Sequence, residues 1–451
     1  MKTPAPPPDY ERLWTDMSIN PSRVVKIITA DAADASTRDY LPWDRLRYKQ
    51  PPEGLTHEEW WLATKMARRN LQRPLPLRAK DGRPFTYALP DRLLQALESI
   101  SRNTSGRISI SEQVTNPSTR DRYVVSSLIE EAITSSQLEG AVTSRRVAKE
   151  MLRTGREPRD RSERMVLGSF QAMRRITEVR DEPLTPELVC EVHRIVTDGT
   201  LDDPGSAGRI QTDDDERIAV YGDQDQQILH IPPPASELPD RLEALCRFAN
   251  AESEESYIPP VLRAVAIHFM LGYDHYFEDG NGRTARAFFY WSMLRQGYWL
   301  AEFLTISTIL KNAPAQYARS FLLTEQDDGD LTHFFLYHVE VIERAIRELH
   351  DYLARKAFEL RAIQRSMATA GRFNHRQLAL LENAVGSPDA LFTMGSHARS
   401  HRVSHETARR DLMDLEAQGF LDKTKAGRRL AWVGVPGLAE RIRVQEERQP
   451  R

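Results

Sequence analysis

Residues 275–286 read His-Tyr-Phe-Glu-Asp-Gly-Asn-Gly-Arg-Thr-Ala-Arg, and this stretch decides how the rest of the chain is interpreted. Residues 279–282, Asp-Gly-Asn-Gly, predict a tight turn, and an apolar helix is expected directly after it. A glycine-rich turn that opens a helix leaves backbone N–H groups free at the positive end of the helix dipole. The stretch therefore predicts an anion-binding site at the start of that helix.

The side chains around this turn fit a site for a metal-bound polyphosphate. Arg283 and Arg286 lie three residues apart in the first turns of the helix, where both can bind phosphate oxygens. Asp279 is a hard oxygen ligand suited to Mg²⁺. His275 can act as a general base, because an unperturbed histidine has a pKa of about 6.5. Phe277 is the apolar anchor expected for the loop.

Taken together, the twelve residues resemble the signature of the Fic domain, His-x-Phe-x-(Asp/Glu)-Gly-Asn-Gly-Arg-x-x-Arg, and every defining position matches. Tyr276 stands where many members have proline. The similarity extends over about residues 111–368 and includes a flap at about residues 209–232, with a hairpin at 218–231. Tyr317 resembles a nucleotide-contacting tyrosine of the later helices. Ala318 departs from the second aromatic residue that many members carry, which affects the expected adenine contacts.

The resemblance implies Mg²⁺-dependent transfer of AMP from ATP to a Tyr, Ser or Thr hydroxyl of a target protein or of the chain itself. His275 would accept the hydroxyl proton, and Asp279 would hold the Mg²⁺ ion. The flap hairpin would pair with an extended segment of the target protein. The residues expected to bind the nucleotide are Gly280, Asn281, Gly282, Arg283, Arg286 and Tyr317.

Residues 135–140, Ser-Ser-Gln-Leu-Glu-Gly, resemble the inhibitory motif of the same family, with Ser135, Glu139 and Gly140 at the defining positions. On a helix at about residues 123–140, Glu139 would bind Arg286 and occupy the guanidinium that the γ-phosphate needs. The alternative is that Gly140 simply ends the helix and Glu139 is a solvated acid. An acid is unfavourable at a helix C-terminus, which favours the inhibitory role. In some family members this glutamate also assists AMP removal.

The C-terminal part predicts a winged helix-turn-helix domain. Helices are expected at residues 376–384, 395–401 and 404–418, and strands at 420–421 and 430–433. Arg409 and Arg410 are expected to face outward on the last helix. Further cations are predicted on the wing, at Lys423, Lys425, Arg428 and Arg429. DNA binding and protein contacts both remain open, because the helix also carries acids at Glu406, Asp411, Asp414 and Glu416.

Composition narrows the class of protein. Of 451 residues, 40% are hydrophobic and 28% are charged, which is typical of a folded soluble chain. The 62 basic and 65 acidic residues give a net charge of −3, which provides no global field for nucleic acid or a membrane surface. Two cysteines exclude a disulfide scaffold. With no secretory signal or apolar run of about 20 residues, we expect a cytoplasmic protein without membrane partners.

Helical periodicity dominates the chain and predicts an all-α, Fic-type helical core with a small β-hairpin flap, followed by the winged helix-turn-helix domain. The expected divisions are an N-terminal extension (1–110), the Fic domain (111–368), the winged helix domain (369–435) and a tail (436–451). A homodimer stays open. Two alternative functions are a transcription regulator whose Fic core senses nucleotide without turnover, and a Fic enzyme that uses another nucleotide donor.

Overall fold

The computed structural model describes residues 3–29, 39–104, 117–215, 217, 220–221, 228–252, 257–369, 373–386, 390–426, 429–438 and 440–442. The chain divides into two compact units, Met1–Leu349 and His350–Arg451. Helices dominate both units, and the strands form three short two-stranded sheets. Within these ranges, no helix combines the length and the apolar character that a membrane span requires.

The first unit begins with helices α1 (Tyr10–Ser18), α2 (Pro21–Thr29), α3 (Trp43–Leu46) and α4 (His57–Arg69), strands β1 (Arg73–Arg78) and β2 (Pro84–Tyr87), and helix α5 (Asp91–Thr104). Helices α6 (Pro117–Leu138), α7 (Arg145–Thr154), α8 (Arg161–Glu178) and α9 (Pro186–Thr197) follow. Strands β3 (Val220–Tyr221) and β4 (Ile228–His230) then precede helices α10 (Leu238–Ala249), α11 (Pro260–Asp274), α12 (Asn281–Arg295), α13 (Ile306–Asn312) and α14 (Pro314–Gln326). Helix α15 (Thr332–Thr369) starts in this unit and continues into the second.

Helices α11 and α12 form the centre of the first unit. Nearly every residue of both helices is buried, so apolar side chains occupy all their faces rather than one stripe. Pro260 opens α11 at a position where its missing N–H costs no hydrogen bond. Because the predicted anion loop connects these two helices, it is held at both ends by the core.

The N-terminal region packs onto this core through a buried charge cluster. Nζ of Lys65 on α4 lies 2.7 Å from Oδ1 of Asp327, and Nε2 of His333 lies 2.9 Å from Oδ2. Burial alone would raise the pKa of Asp327, but Lys65 and His333 hold it below its ordinary value. Asp327, Asp330 and His333 are metal-ligand types, yet Asp327 in this cluster is already paired with Lys65 and lies 3.8 Å from the Arg68 guanidinium. Its role is therefore structural, and residues 1–110 belong to the same compact unit as the core.

The second unit contains, after α15, helices α16 (His375–Gly386), α17 (Met394–His401) and α18 (His405–Ala417) and the antiparallel strands β5 (Leu421–Ala426) and β6 (Arg429–Gly434). Ser404 caps α18 by accepting a hydrogen bond from the Thr407 N–H. Leu381, Leu412 and Trp432 are buried in a core shared by the helices and the hairpin. The order of three helices and a hairpin is the predicted one. The compact unit spans His350–Arg451 and contains the predicted domain at 369–435, whose boundaries stay a prediction.

The prediction of a helical protein with a small hairpin before the central helices is confirmed. The β1–β2 hairpin was not predicted, because Pro74 and Pro76 suggest helix breaks; both lie within β1, a strand of a two-stranded sheet. Some predicted features lie outside the described residues. These are the flap residues 218–219 and 222–227, the boundary at 370–372, the tail from residue 443, and the side chains of Lys425, Arg428 and Arg429.

Candidate active site

The loop between α11 and α12 is shaped by its own backbone and by Asn281. Helix α11 ends at His275, which adopts a left-handed conformation with φ of 52°, and Gly280 has φ of 84° immediately before α12. The Asn281 side chain accepts from the Phe277 N–H at 3.0 Å and donates to the Phe277 carbonyl at 2.7 Å. Nucleotide binding by Asn281 stays a prediction, and the structure shows this other role for its side chain. It closes the loop, and backbone amides are left to face an anion.

His193 supports the loop from behind. Its ring stacks on Phe277 with centroids 3.7 Å apart, and Nε2 lies 2.7 Å from the Asp279 carbonyl. Because Nδ1 accepts from the Gly208 N–H at 2.9 Å, the proton is on Nε2, which donates to Asp279. Burial lowers the pKa of His193 to about 4, so the ring is neutral and this tautomer persists at neutral pH.

Two further residues anchor the start of the loop. Tyr276 is fully buried and donates to Oδ2 of the buried Asp274 at 2.7 Å. It therefore anchors the loop in addition to Phe277, the anchor that the sequence predicts. Arg217, from the flap region, donates at 2.8 Å to the carbonyls of both Asp274 and His275. It also donates to the Pro233 carbonyl at 3.1 Å. Arg217 therefore links the flap to the end of α11.

His275 has the protonation state of a general base. Its Nδ1 lies 3.3 Å from the Gly272 carbonyl, which can only accept, so Nδ1 carries the proton and Nε2 keeps a free lone pair. Burial is the main cause that lowers the pKa of His275 below the ordinary histidine value. A neutral imidazole with an available Nε2 is thus present at neutral pH.

Arg283 and Arg286 bring two buried guanidinium groups to the start of α12. Arg283 donates from Nη1 to the Val196 carbonyl at 2.8 Å. Among the residues that the structure describes, Nε and Nη2 of Arg283 and Nη1 of Arg286 have no hydrogen-bond partner. Buried cationic donors without acceptors are costly, and an anion at this position would satisfy them.

Asp279 lies at the open side of the same site. Its side chain is 46% exposed, and Oδ1 accepts from the Gly280 N–H at 2.6 Å. Oδ2 lies 3.5 Å from Arg161 and 3.8 Å from Arg283. This carboxylate is accessible and stands beside the unpartnered arginine donors, so the donor set fits Mg²⁺ bound jointly by one carboxylate and phosphate oxygens.

Helix α6 fills part of the anion site with its own carboxylate. Oε1 of Glu139 accepts from Nη2 of Arg286 at 2.7 Å. The same Oε1 rests against Gly282 in the first turn of α12, where any side chain would clash with it. Ser135 adds two contacts to Arg286, with Oγ accepting from Nε at 2.9 Å and the carbonyl from Nη2 at 3.1 Å. Gly140, with φ of 89°, ends the helix immediately after Glu139.

Helix α6 is fixed on α13 by two polar contacts. The buried Glu131 carboxylate accepts from the Ser307 N–H at 3.1 Å and from the Ser307 hydroxyl. Lys311 donates to the Gln137 side chain at 2.6 Å. Burial is the main cause that raises the pKa of Glu131 to about 7. These contacts hold the helix that carries Ser135 and Glu139.

Tyr317 is turned towards the core. Its hydroxyl lies 2.7 Å from Nε2 of His268, and burial raises the pKa of Tyr317 to about 12. The flap strands pair as predicted, with Val220 opposite His230. Ile228, in the second flap strand, is half exposed.

The structure brings most predicted site residues into one region. Those joined by the contacts described above are Ser135, Glu139, Asp279, Gly282, Arg283 and Arg286. Sequence reasoning missed His193, Arg217 and Glu131. Each of them acts through a contact to a residue far along the chain, and no local motif marks such a contact. The one available signal was the position of His193 on the buried face of an amphipathic helix.

Parts of this chain are similar to known proteins. A sequence profile of the Fic/DOC family matches residues 183–293. The chain is 31% identical over 135 residues to Protein adenylyltransferase Fic of Drosophila melanogaster, an alignment that covers 30% of this chain and 25% of the relative. The protein of the same name from Nematostella vectensis is 24% identical over 184 residues, covering 40% of this chain and 38% of the relative. The chain thus spans about a quarter to two fifths of the length of these relatives.

Two solved structures are similar over a longer range. A Fic family protein from Desulfovibrio desulfuricans shares 18% identity, with 77% of this chain and 97% of that chain covered and a TM-score of 0.49. Fic-1 from C. elegans, residues 134–508, shares 20% identity over 77% of this chain and 97% of that chain, with a TM-score of 0.47.

Proposed function

Since this chain is a Fic-domain protein, with the family match over residues 183–293, we propose that it is a Mg²⁺-dependent adenylyltransferase whose activity is restrained by Glu139. The observation that carries the proposal is the pair of buried arginines with unpartnered donors, beside an available histidine base and an exposed carboxylate. The substrates would be ATP and a Tyr, Ser or Thr hydroxyl of a target protein or of the chain itself.

His275 would supply the base. A target hydroxyl attacks the α-phosphorus of ATP, a new P–O bond forms, and the bond to the β-phosphate oxygen breaks to release pyrophosphate. Nε2 of His275 accepts the hydroxyl proton, because Nδ1 is occupied by the Gly272 carbonyl. A positioned base of this kind typically contributes about 10² to 10⁴ in rate.

The start of α12 would bind the phosphates. The amides of Gly280 and Gly282 and the free donors of Arg283 and Arg286 stabilise negative charge at the positive end of the helix dipole. Asp279 would hold Mg²⁺, which neutralises phosphate charge when bound. Tyr317 is the remaining residue expected to bind the nucleotide, and its hydroxyl is already paired with His268.

Glu139 would inhibit transfer because its carboxylate occupies the position of a negatively charged phosphate group of ATP. It pairs with Arg286 and lies against Gly282, where a phosphate oxygen would otherwise be bound. ATP would then bind without its γ-phosphate on Arg286. The same carboxylate, facing the nucleotide, could also assist AMP removal, as the resemblance implies.

The test is transfer of label from α-³²P-ATP with Mg²⁺ to the purified protein. We expect label in Glu139→Gly, little in the wild type, and none in Glu139→Gly/His275→Ala. The same single variant given γ-³²P-ATP is the matched control, because AMP transfer leaves the γ-phosphate in pyrophosphate. Equal labelling of wild type and Glu139→Gly would refute the brake. No α-label in any variant would refute ATP as the donor and favour another nucleotide or a non-catalytic sensor.

We further propose two partners. The flap strands would dock an extended segment of the target protein, with the half-exposed Ile228 on the accessible strand. The second unit would bind DNA through α18. One observation favours this: Asp411, one of the four acids that were expected to dilute the positive charge, is buried against Arg376 and His397. Arg409 and Arg410 remain exposed.

A further inference from the structure

The turn between β1 and β2 lies beside the flap, apart from the anion-binding loop. The chain turns tightly at residues 79–82, where the Gly82 N–H donates to the Ala79 carbonyl at 3.0 Å. The Lys80 ammonium donates to the Ile231 carbonyl at 3.3 Å, directly after strand β4. The turn of the N-terminal hairpin therefore stands next to the end of the second flap strand.

The same turn is attached to the end of α11, close to His275. The backbone N–H of Lys80 donates to the Tyr273 hydroxyl at 3.1 Å. Phe85 of β2 packs edge to face on the Tyr273 ring, with centroids 5.2 Å apart. From the flap, Nε2 of His230 donates to the Tyr273 carbonyl at 2.7 Å. The turn, the flap strand and the end of α11 therefore meet at Tyr273, two residues before the proposed base.

The turn carries an excess of positive charge. Residues 73–84 contain four cations and one acid, and that acid, Asp81, is already paired with a neighbouring arginine. Arg78 and Lys80 are exposed, and neither has an acidic partner among the residues that the structure describes. Nη1 of Arg78 donates to the Gly82 carbonyl at 2.8 Å, so its guanidinium lies on the turn that carries Lys80. Two accessible cations are therefore held at one place beside the flap.

Apolar side chains lie next to these cations. Ile228 in β4 is 50% exposed and Ile231 is 53% exposed. Because Lys80 reaches the Ile231 carbonyl, a segment lying along β4 would contact the cations and the isoleucines together. A peptide with carboxylates and aliphatic side chains satisfies both kinds of contact. A nucleic acid would leave the isoleucines without a partner, and two cations neutralise only two phosphates.

We infer that this surface, formed by Arg78, Lys80, Ile228 and Ile231, recognises an acidic segment of the protein that is modified. The inference rests on the proposed docking of a target segment on the flap and adds the charge of that segment. The segment would lie along β4, with its hydroxyl directed towards His275 and its carboxylates on the basic turn. The N-terminal hairpin would thus take part in the choice of target.

The test is fluorescence anisotropy of the full chain, without ATP, with two labelled peptides. Both contain a central tyrosine and isoleucines at alternate positions, and the positions between carry either glutamates or lysines. We expect the glutamate peptide to bind more tightly, and its binding to weaken with salt. Arg78→Ala and Lys80→Ala should each weaken it about two- to fivefold, as expected for the loss of one exposed ion pair.

A charge reversal makes the test sharper. Arg78→Glu/Lys80→Glu should reverse the preference, so that the lysine peptide binds more tightly than the glutamate peptide. Arg73→Glu is the matched control, because Arg73 is an exposed cation of the same hairpin at the end opposite the turn, where it lies across from Tyr87. This control should leave the preference for the glutamate peptide unchanged.

Equal binding of the two peptides, binding of neither, or a preference that survives the double charge reversal would overturn the inference. A single-stranded oligonucleotide that binds more tightly than the glutamate peptide, and loses this binding in the double variant, would assign the surface to nucleic acid instead. Labelling of Glu139→Gly from α-³²P-ATP is measured without these peptides. Failure of the docking surface and failure of the proposed AMP transfer are therefore distinguishable.

Discussion

The Glu139 carboxylate lies 2.7 Å from Nη2 of Arg286, although 147 positions separate the two residues in the sequence. At the end of its own helix an acid is unfavourably placed relative to the dipole. Here it lies against Gly282, at the start of α12, where the dipole has the opposite sign. The contact thus explains why an acid is tolerated at this helix end.

Ser135→Ala should release the brake partly. The change removes the Oγ acceptor of Arg286 Nε but leaves Glu139 in place, so self-labelling with α-³²P-ATP should rise by less than in Glu139→Gly. Loss of one hydrogen bond to a charged group corresponds to a factor of about ten. Ser136→Ala is the matched control, since Ser136 bonds to the Met165 carbonyl and to Ser169 instead. Activation by Ser136→Ala and not by Ser135→Ala would contradict the assignment.

The activity of Glu139→Gly should extend to unusually low pH for a histidine base. Burial lowers the pKa of His275, so its base form persists below the ordinary histidine value of about 6.5. The rate should therefore rise with pH, reach half its maximum below pH 6.5, and stay level through neutral pH. Initial rates between pH 5 and 8 at saturating Mg²⁺ and ATP measure this, with ATP binding determined at each pH. A half-maximum above pH 6.5 would argue against His275 as described.

Glu131→Gln should gain stability relative to the wild type as pH rises. Burial raises the pKa of Glu131 to about 7, so the folded state holds a proton that the unfolded chain releases near its ordinary pKa of about 4.5. Wild-type stability contributed by this group is complete below the unfolded pKa and is lost as pH rises through about 7. Glutamine mimics the protonated acid and does not titrate. Urea unfolding at pH 5, 6, 7 and 8 compares the two, and a pH-independent difference would disprove the raised pKa.

Arg217→Ala should impair the chemical step more than nucleotide binding. Arg217 fixes the Asp274 and His275 carbonyls at the end of α11, and displacement of a base by about 1 Å can cost about 10²-fold in rate. In the Glu139→Gly background, kcat should fall while KM for ATP changes little. Arg209→Ala is a control in the same flap region, because the Arg209 guanidinium forms its ion pair with Asp215. Equal effects of both variants would indicate general loss of flap structure.

The loop, its cations and the contact of Glu139 with Arg286 could be predicted because their residues occur as short local patterns. The resemblance of residues 275–286 to one signature identified His275, Asp279, Arg283 and Arg286 at once. Helix α12 could be predicted because apolar residues recur at helical spacing directly after the glycine-rich turn at residues 279–282. The predicted helices accordingly agree with the structure except at their ends, which local caps and neighbouring contacts decide.

The remaining features depend on contacts between distant parts of the chain. The Asn281 side chain closes the loop, and only the position of the Phe277 backbone shows this. Lys65 joins the N-terminal region to Asp327 across 262 positions, a contact that no local pattern of the sequence indicates. Strand β1 could not be predicted because it contains two prolines, which a strand tolerates when it pairs with a neighbour on one side only.

DNA binding by the second unit should depend on Arg409 and Arg410 and weaken steeply with salt. Both side chains are exposed on α18, while Asp411 faces inward to Arg376 at 2.8 Å and to His397 at 3.1 Å. Phosphate contacts release counterions, so replacing each arginine by alanine should lower the slope of log K against log salt by about one. Fluorescence anisotropy with a labelled duplex at several salt concentrations measures the slope. Lys423→Ala, measured in the same assay, tests whether an exposed cation of the β5–β6 hairpin also contacts DNA. Binding that is indifferent to salt and to both arginine variants would leave α18 without a role in DNA recognition and favour a protein partner for this unit.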